Sequence, residues 1–227
     1  KADVNAGDPS GNTAAIITAN GGYTACLQLL LDANADLEIA NLYGSTALIA
    51  AAKDSRFESL QLLLGARANI NAANKERNTA LIVSAGKGDT ECLQLLLNGR
   101  ADVDARSVQG DTALIMAAAA GHAGCLQMLL DAKANIDIVQ KDGFTALMIA
   151  RAQGYSNLVD MLLKARRQRA AAPATVPRGP DSLAMSSMLE TQARTIRDLV
   201  NSKASLECVD SNGNTPLLLA TKHSHDS

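Results

Sequence analysis

The stretch from Asp111 to Asp131, D-T-A-L-I-M-A-A-A-A-G-H-A-G-C-L-Q-M-L-L-D, decides the fold. Thr112 stands where a helix N-cap is wanted, and the alanines and aliphatics after it fill about two turns before Gly121 ends them. A second apolar run follows, with Cys125, Leu126, Leu129 and Leu130 on one side and Gln127 on the water side. The unit before it repeats the pattern with Cys92, Leu93, Leu96 and Leu97, spaced i, i+1, i+4, i+5 as a helix stripe requires. Two helices this short cannot enclose their own apolar faces. They must stack on others of their kind.

The chain supplies those others. Thr13, Thr46, Thr79, Thr112 and Thr145 recur every 33 residues, opening T-A-A-I-I-T-A, T-A-L-I-A-A-A, T-A-L-I-V-S-A, T-A-L-I-M-A-A and T-A-L-M-I-A-R. Eleven residues before each Thr is an alanine (Ala2, Ala35, Ala68, Ala101, Ala134), followed two on by Val4, Leu37, Ile70, Val103 or Ile136. Leucine pairs close the units at Leu30–Leu31, Leu63–Leu64, Leu96–Leu97, Leu129–Leu130 and Leu162–Leu163. Gly11, Gly44, Gly110 and Gly143 precede the Thr by two, where a tight turn needs positive φ, and Arg77 takes that place in the third unit. A fixed period of this length means a stacked array.

The period and the Thr-led helix resemble the ankyrin repeat, strongly over residues 1–163 and more weakly over 182–227. The resemblance implies an all-α solenoid of helix-turn-helix units with hairpin-like fingers: five regular repeats preceded by the tail of another, then one degenerate and one partial repeat. The family's Pro in the first helical turn is Ala14, Ala47, Ala80, Ala113 and Ala146 here; only Thr215–Pro216 keeps it. Its His is Ile16, Ile49, Ile82, Ile115 and Met148, so apolar packing must replace any polar bridge. His122 after Gly121 matches the family's Gly-His pair, and Tyr23 and Tyr155 share that phase; all three read as structural. Met116, Met128, Met148 and Met161 fall at core phases.

Composition narrows the function classes. Of 227 residues, 47% are hydrophobic but only 2% aromatic, and 21 Lys+Arg nearly balance 23 Asp+Glu. That balance argues against a whole-surface nucleic-acid or membrane binder. The most apolar stretch, Ala113 to Ala120, is far short of the ~20 residues a bilayer needs. Cys26, Cys92, Cys125 and Cys208 show no C-x-x-C or zinc spacing, which points to a reducing, intracellular and cytoplasmic setting. Three His, two of them in the tail His223-Ser224-His225-Asp226, offer no catalytic constellation and no complete metal set. Gly86-Lys87-Gly88 lacks the length of a phosphate loop. The expectation is a non-enzymatic protein with no cofactor and no metal.

After Leu163 the period fails. K-A-R-R-Q-R-A-A-A-P-A-T-V-P-R-G-P, from Lys164 to Pro180, carries Lys164, Arg166, Arg167, Arg169 and Arg178 with no acid and three prolines. It reads as a basic loop over 164–181: a plain solvated segment, a localisation signal, or a contact for nucleic acid or an acidic partner. Residues 182–227 then resume the register as a degenerate repeat and the start of another, with 181–201 open to being one helix or two. Neither end shows a polar cap, so the chain reads as part of a longer array or one sealed by a partner.

The resemblance implies a concave face of finger tips and first-helix edges. Carried over, the tips are Leu42, Tyr43, Lys75, Glu76, Val108, Gln109, Lys141 and Asp142. Asp111 and Phe144 precede a Thr; Lys53, Asp54, Lys87 and Gln153 lie seven or eight after one; Arg106 lies six before one. Tyr43, Arg106 and Phe144 are the favoured anchors, because aromatics and Arg dominate interface energetics. Asn5 and Asn71 stand where some members of the family are hydroxylated. The expected function is binding of a partner protein through this face, the alternative a structural subunit of a large assembly held by its ends or the basic loop.

Overall fold

The computed structural model describes residues 3–171. Among them ten helices follow in five pairs: α1 (Ala14–Gly21) with α2 (Thr24–Asp32), α3 (Ala47–Lys53) with α4 (Phe57–Gly65), α5 (Ala80–Lys87) with α6 (Thr90–Asn98), α7 (Ala113–Ala120) with α8 (Ala123–Asp131), and α9 (Ala146–Ala152) with α10 (Ser156–Ala171). Odd-numbered helices pack on one another in one row and even-numbered helices in a second, each also packing on its own partner. The result is an all-helical stack with one continuous core.

Small residues allow the close approach. Ala47, Ala51, Ala80, Ala85, Ala113, Ala117 and Ala118 are buried in the first row, while Leu27, Leu60, Leu93, Leu126 and then Leu63, Leu96, Leu129 fill the seam between rows. Burying one such leucine is worth about 1.5–3 kcal/mol, so stability comes from the seams rather than from any single pair. Ile16, Ile49, Ile82 and Ile115 are each at most 4% exposed, so aliphatic packing does replace the polar bridge.

Each first-row helix starts at its Thr in extended backbone (φ −77 to −100°), which suits a β-branched residue. Thr13, Thr79, Thr112 and Thr145 accept a bond from the N–H three residues on, at 3.3–3.4 Å. Thr46 is the exception: its Oγ1 is buried and makes no cap bond. Gly22, Gly88, Gly121 and Gly154 turn left-handed at the end of their helices, and Ser55 does so at the matching place in the second pair.

Three expectations change. Lys164, Arg166, Arg167 and Arg169 are not in a loop; they ride on α10, which runs 16 residues where α2, α4, α6 and α8 each run nine. In the other pairs the chain leaves the second helix through a left-handed residue (Asn34, Arg67, Arg100, Lys133) and then tucks in an alanine and an aliphatic, such as Ala134 and Ile136. The matching positions after α10's first turns are Arg166, Arg167 and Arg169. With nothing apolar to fold back, good helix formers simply continue.

Met148, read as core, is 52% exposed, because no described helix pair lies beyond α9 to cover it. Tyr23, read as structural, is 61% exposed for the mirror reason: its equivalents lean back on a preceding pair, and none precedes it among the described residues. Those equivalents do hold the stack. Arg56 Nε donates to the Asn20 carbonyl, His122 Nε2 lies 3.2 Å from the Gly86 carbonyl, and half-buried Tyr155 lies against Gly121. Arg178, the 182–227 register, the 181–201 helix question, Cys208, Pro216 and the histidine tail all lie outside the described residues.

Candidate protein-binding face

The fingers are built by a side chain the sequence reading passed over. Five residues before each of the first four Thr, Asp8, Asn41 and Asn74 place Oδ1, and Ser107 places Oγ, to accept two backbone N–H groups of the same finger at 2.8–3.1 Å. This short polar turn mimics backbone and fixes the finger. The signal was present as an Asp, Asn or Ser at one phase, three residues before a positive-φ residue (Gly11, Gly44, Arg77, Gly110). Arg77 holds φ 60° there, a left-handed conformation that costs a non-glycine residue about 1–2 kcal/mol. At Gly44 a Cβ would lie 2.7 Å from the Lys75 backbone nitrogen, so glycine is needed for space as well.

Successive fingers are stitched by backbone. The N–H groups of Leu42, Lys75, Val108 and Lys141 donate to the carbonyls of Ser10, Tyr43, Glu76 and Gln109 at 2.9, 3.1, 2.7 and 2.8 Å. The finger-tip residues named from sequence therefore form one row, with their side chains left over. Leu42 is 61% exposed, Tyr43 72% and Val108 39%; Phe144, at the base of the fifth finger, is 50% exposed and not folded beneath it. Lys75, Glu76, Gln109, Lys141 and Asp142 are exposed beside them. Lys53, Asp54, Lys87 and Gln153 are exposed at the far ends of α3, α5 and α9.

Two residues behave differently from a free anchor. Asp111 is half-buried, its N–H bonded to Ser107 Oγ. Arg106 is exposed, yet its Nη2 donates to the Val139 carbonyl of the next finger. Behind the third and fourth fingers is a groove of about 550 Å³ that brings together Arg77, Arg106 and Lys141 with Asp102 and Asp104.

A second inter-unit bolt also went unread. Eight residues before the Thr, Asn5 Oδ1, Glu38 Oε1, Asn71 Oδ1 and Asp104 Oδ1 accept the backbone N–H of Asp36, Asn69, Asp102 and Asn135 at 2.7–2.9 Å. Both asparagines singled out for hydroxylation are thus engaged in holding the register.

Away from the fingers, Asp89 caps α6 with Oδ1 3.0 Å from the Cys92 N–H. Burial works against its charge, but hydrogen bonds from Cys92, Ser55 and Glu91 outweigh that and hold its carboxyl below the usual range. Burial raises both interior thiols, then the Asp89 charge adds to it; Cys125 is pushed up to about 11. Such thiols are packing groups, not nucleophiles. Among the described residues no group of three or more His, Cys, Asp or Glu could hold a metal ion, and no helix is long and apolar enough to cross a membrane.

A family model described as ankyrin repeats (3 copies) matches residues 1–74, 57–142 and 81–171, more than half of the chain. The chain belongs to the ankyrin-repeat family. No curated protein matches it significantly. Ankyrin repeats are generally protein–protein interaction modules and typically non-catalytic.

Proposed function

We propose that this ankyrin solenoid, read as five regular repeats followed by a degenerate and a partial one, is a non-catalytic scaffold that binds another protein across its finger row. One observation carries the reading. Leu42, Tyr43, Val108 and Phe144 are large apolar side chains exposed along a backbone that hydrogen bonds already hold still. Preorganisation of this kind lowers the ordering cost of association. Lys75, Glu76, Gln109, Lys141 and Asp142 supply the polar rim between the anchors.

A photo-crosslinker placed at Tyr43 in the native source identifies the partner. Its affinity is then measured for the wild-type chain and for Tyr43→Ala and Phe144→Ala. A loss of tenfold or more with unchanged circular dichroism is expected; a partner indifferent to both substitutions refutes the finger row as its site.

The alternative, a subunit built into a larger assembly, draws on Ile17, Tyr23 and Leu29, which are 48%, 61% and 70% exposed on the first helix pair. In that case replacing Arg166, Arg167 and Arg169 with glutamine, or making Leu29→Lys, removes the chain from the assembly while Tyr43→Ala leaves it in place. The three free cysteines among the described residues fit a reducing, cytoplasmic setting.

A further inference from the structure

The outer side of α9 departs from the pattern of its four counterparts at the positions that make the seam with a following pair. Ala19, Ala52, Ala85 and Ala118 are fully buried at one such position; the fifth residue in that column is Arg151, and it is exposed. Ile16, Ile49, Ile82 and Ile115 are buried at another; there the fifth is Met148, half in water. Beyond them, Arg166, Arg167 and Arg169 replace the turn residue, the tucked alanine and the aliphatic that fold each earlier unit back. A groove of about 230 Å³ results, with Ile136, Leu147, Met148 and Leu162 along it and Arg151 and Arg166 beside them; Asp137 is its one carboxylate.

A regular repeat stacked here in the manner of the others would meet charge where they meet carbon. Where four units place a methyl group, it would bury the guanidinium of Arg151 against aliphatic carbon, and an unpaired buried charge is strongly disfavoured. A second copy docking end to end through Ile17 and Leu29 would bring large exposed apolar side chains to the arginines. What fits is an apolar side chain for the strip of Leu147 and Met148, with carboxylates on either side for Arg151 and Arg166. Lys164 and Arg169 line a separate groove with Gln127, Asp131 and Lys133, where Arg169 Nη2 donates to the Ala134 carbonyl, so the basic side of the Met148 groove is Arg151 and Arg166 alone.

We propose that the α9–α10 end of the stack is a second docking surface, distinct from the finger row, for an acidic segment of another protein anchored by an apolar side chain. Arg151 and Arg166 select the acidic residues, and Met148, unbranched and adaptable, receives the apolar one.

The test uses the full chain and two fluorescent twelve-residue peptides, one of leucines flanked by glutamates and its twin with lysines for the glutamates. The glutamate peptide is expected to bind, more weakly as sodium chloride rises from 50 to 300 mM, and the lysine peptide not at all. Arg151→Ala and Met148→Ser should each weaken binding at least fivefold, while Tyr43→Ala leaves it unchanged. Arg151→Ala restores the residue the other four units carry, so loss of binding cannot be put down to misfolding. Equal binding of both peptides, no binding of either, indifference to Arg151→Ala, or loss on Tyr43→Ala overturns the proposal. Slow thiol labelling of a Met148→Cys chain, mapped by mass spectrometry, also overturns it, since the groove would then be covered by the chain itself. Apart from loss on Tyr43→Ala, which would move the peptide to the finger row, none of these outcomes bears on whether the finger row binds its own partner.

Discussion

Asn71 Oδ1 accepts the backbone N–H of Asp102 at 2.9 Å, across 31 residues of chain and from one ankyrin unit to the next. A bond of that kind sets how far each finger advances on its neighbour, and Asn5, Glu38 and Asp104 repeat it.

Asn71→Ala removes the acceptor and leaves the Asp102 N–H to water. The expected loss is about 0.5–1 kcal/mol, the net worth of one exposed hydrogen bond. Urea unfolding reads the loss. Asn71→Asp, which keeps the acceptor, should recover most of it.

Arg77→Gly relieves the one finger turn whose left-handed residue has a side chain. Part of the relief is returned through the greater freedom of glycine in the unfolded chain, leaving a gain of about 0.5–1 kcal/mol. Thermal unfolding should shift upward by about 2 °C.

Asp89 carries a pH dependence whose sign is set by its lowered carboxyl. The stabilisation is fully present above the unfolded value of 3.8 and is lost as pH falls through the lower folded value. Wild type and Asp89→Ala should therefore differ by a constant amount near neutrality and begin to approach each other as pH falls below 3.8. Parallel denaturation curves at pH 7, 5 and 3 measure this; a gap that does not narrow between pH 5 and pH 3 contradicts it.

Thiol reactivity should separate Cys26 from the interior pair. Cys26 is exposed, whereas Cys92 and Cys125 are fully buried with their thiols held protonated. Native labelling with a disulfide reagent, mapped by peptide mass, should mark Cys26 within minutes and the other two only on unfolding.

The stacked architecture was legible because one period recurs through Thr, Ala, aliphatic and Leu-Leu phases, and each phase has one physical task. The exposure of Leu42, Tyr43 and Val108 was legible too, since a two-residue finger tip has no interior in which to hide them, whereas that of Phe144, at a finger base, was not. The reading passed over side chains whose partners lie in another unit. Glu38 looks like an ordinary surface acid until Asn69 of the next finger is placed against it. Arg106 looked free until the Val139 carbonyl came within reach of its guanidinium.

What the sequence determined by itself was local and periodic: where helices start, which stripe is apolar, and that no helix pair can stand alone. The tertiary structure decided which of the equivalent positions have neighbours. Ile115 and Met148 share a phase, yet one is sealed and the other half in water, because burial depends on the helix beside it. The overrun of α10 has the same origin: a second helix turns back only when alanine and aliphatic side chains can tuck under the stack, and Arg167 and Arg169 cannot.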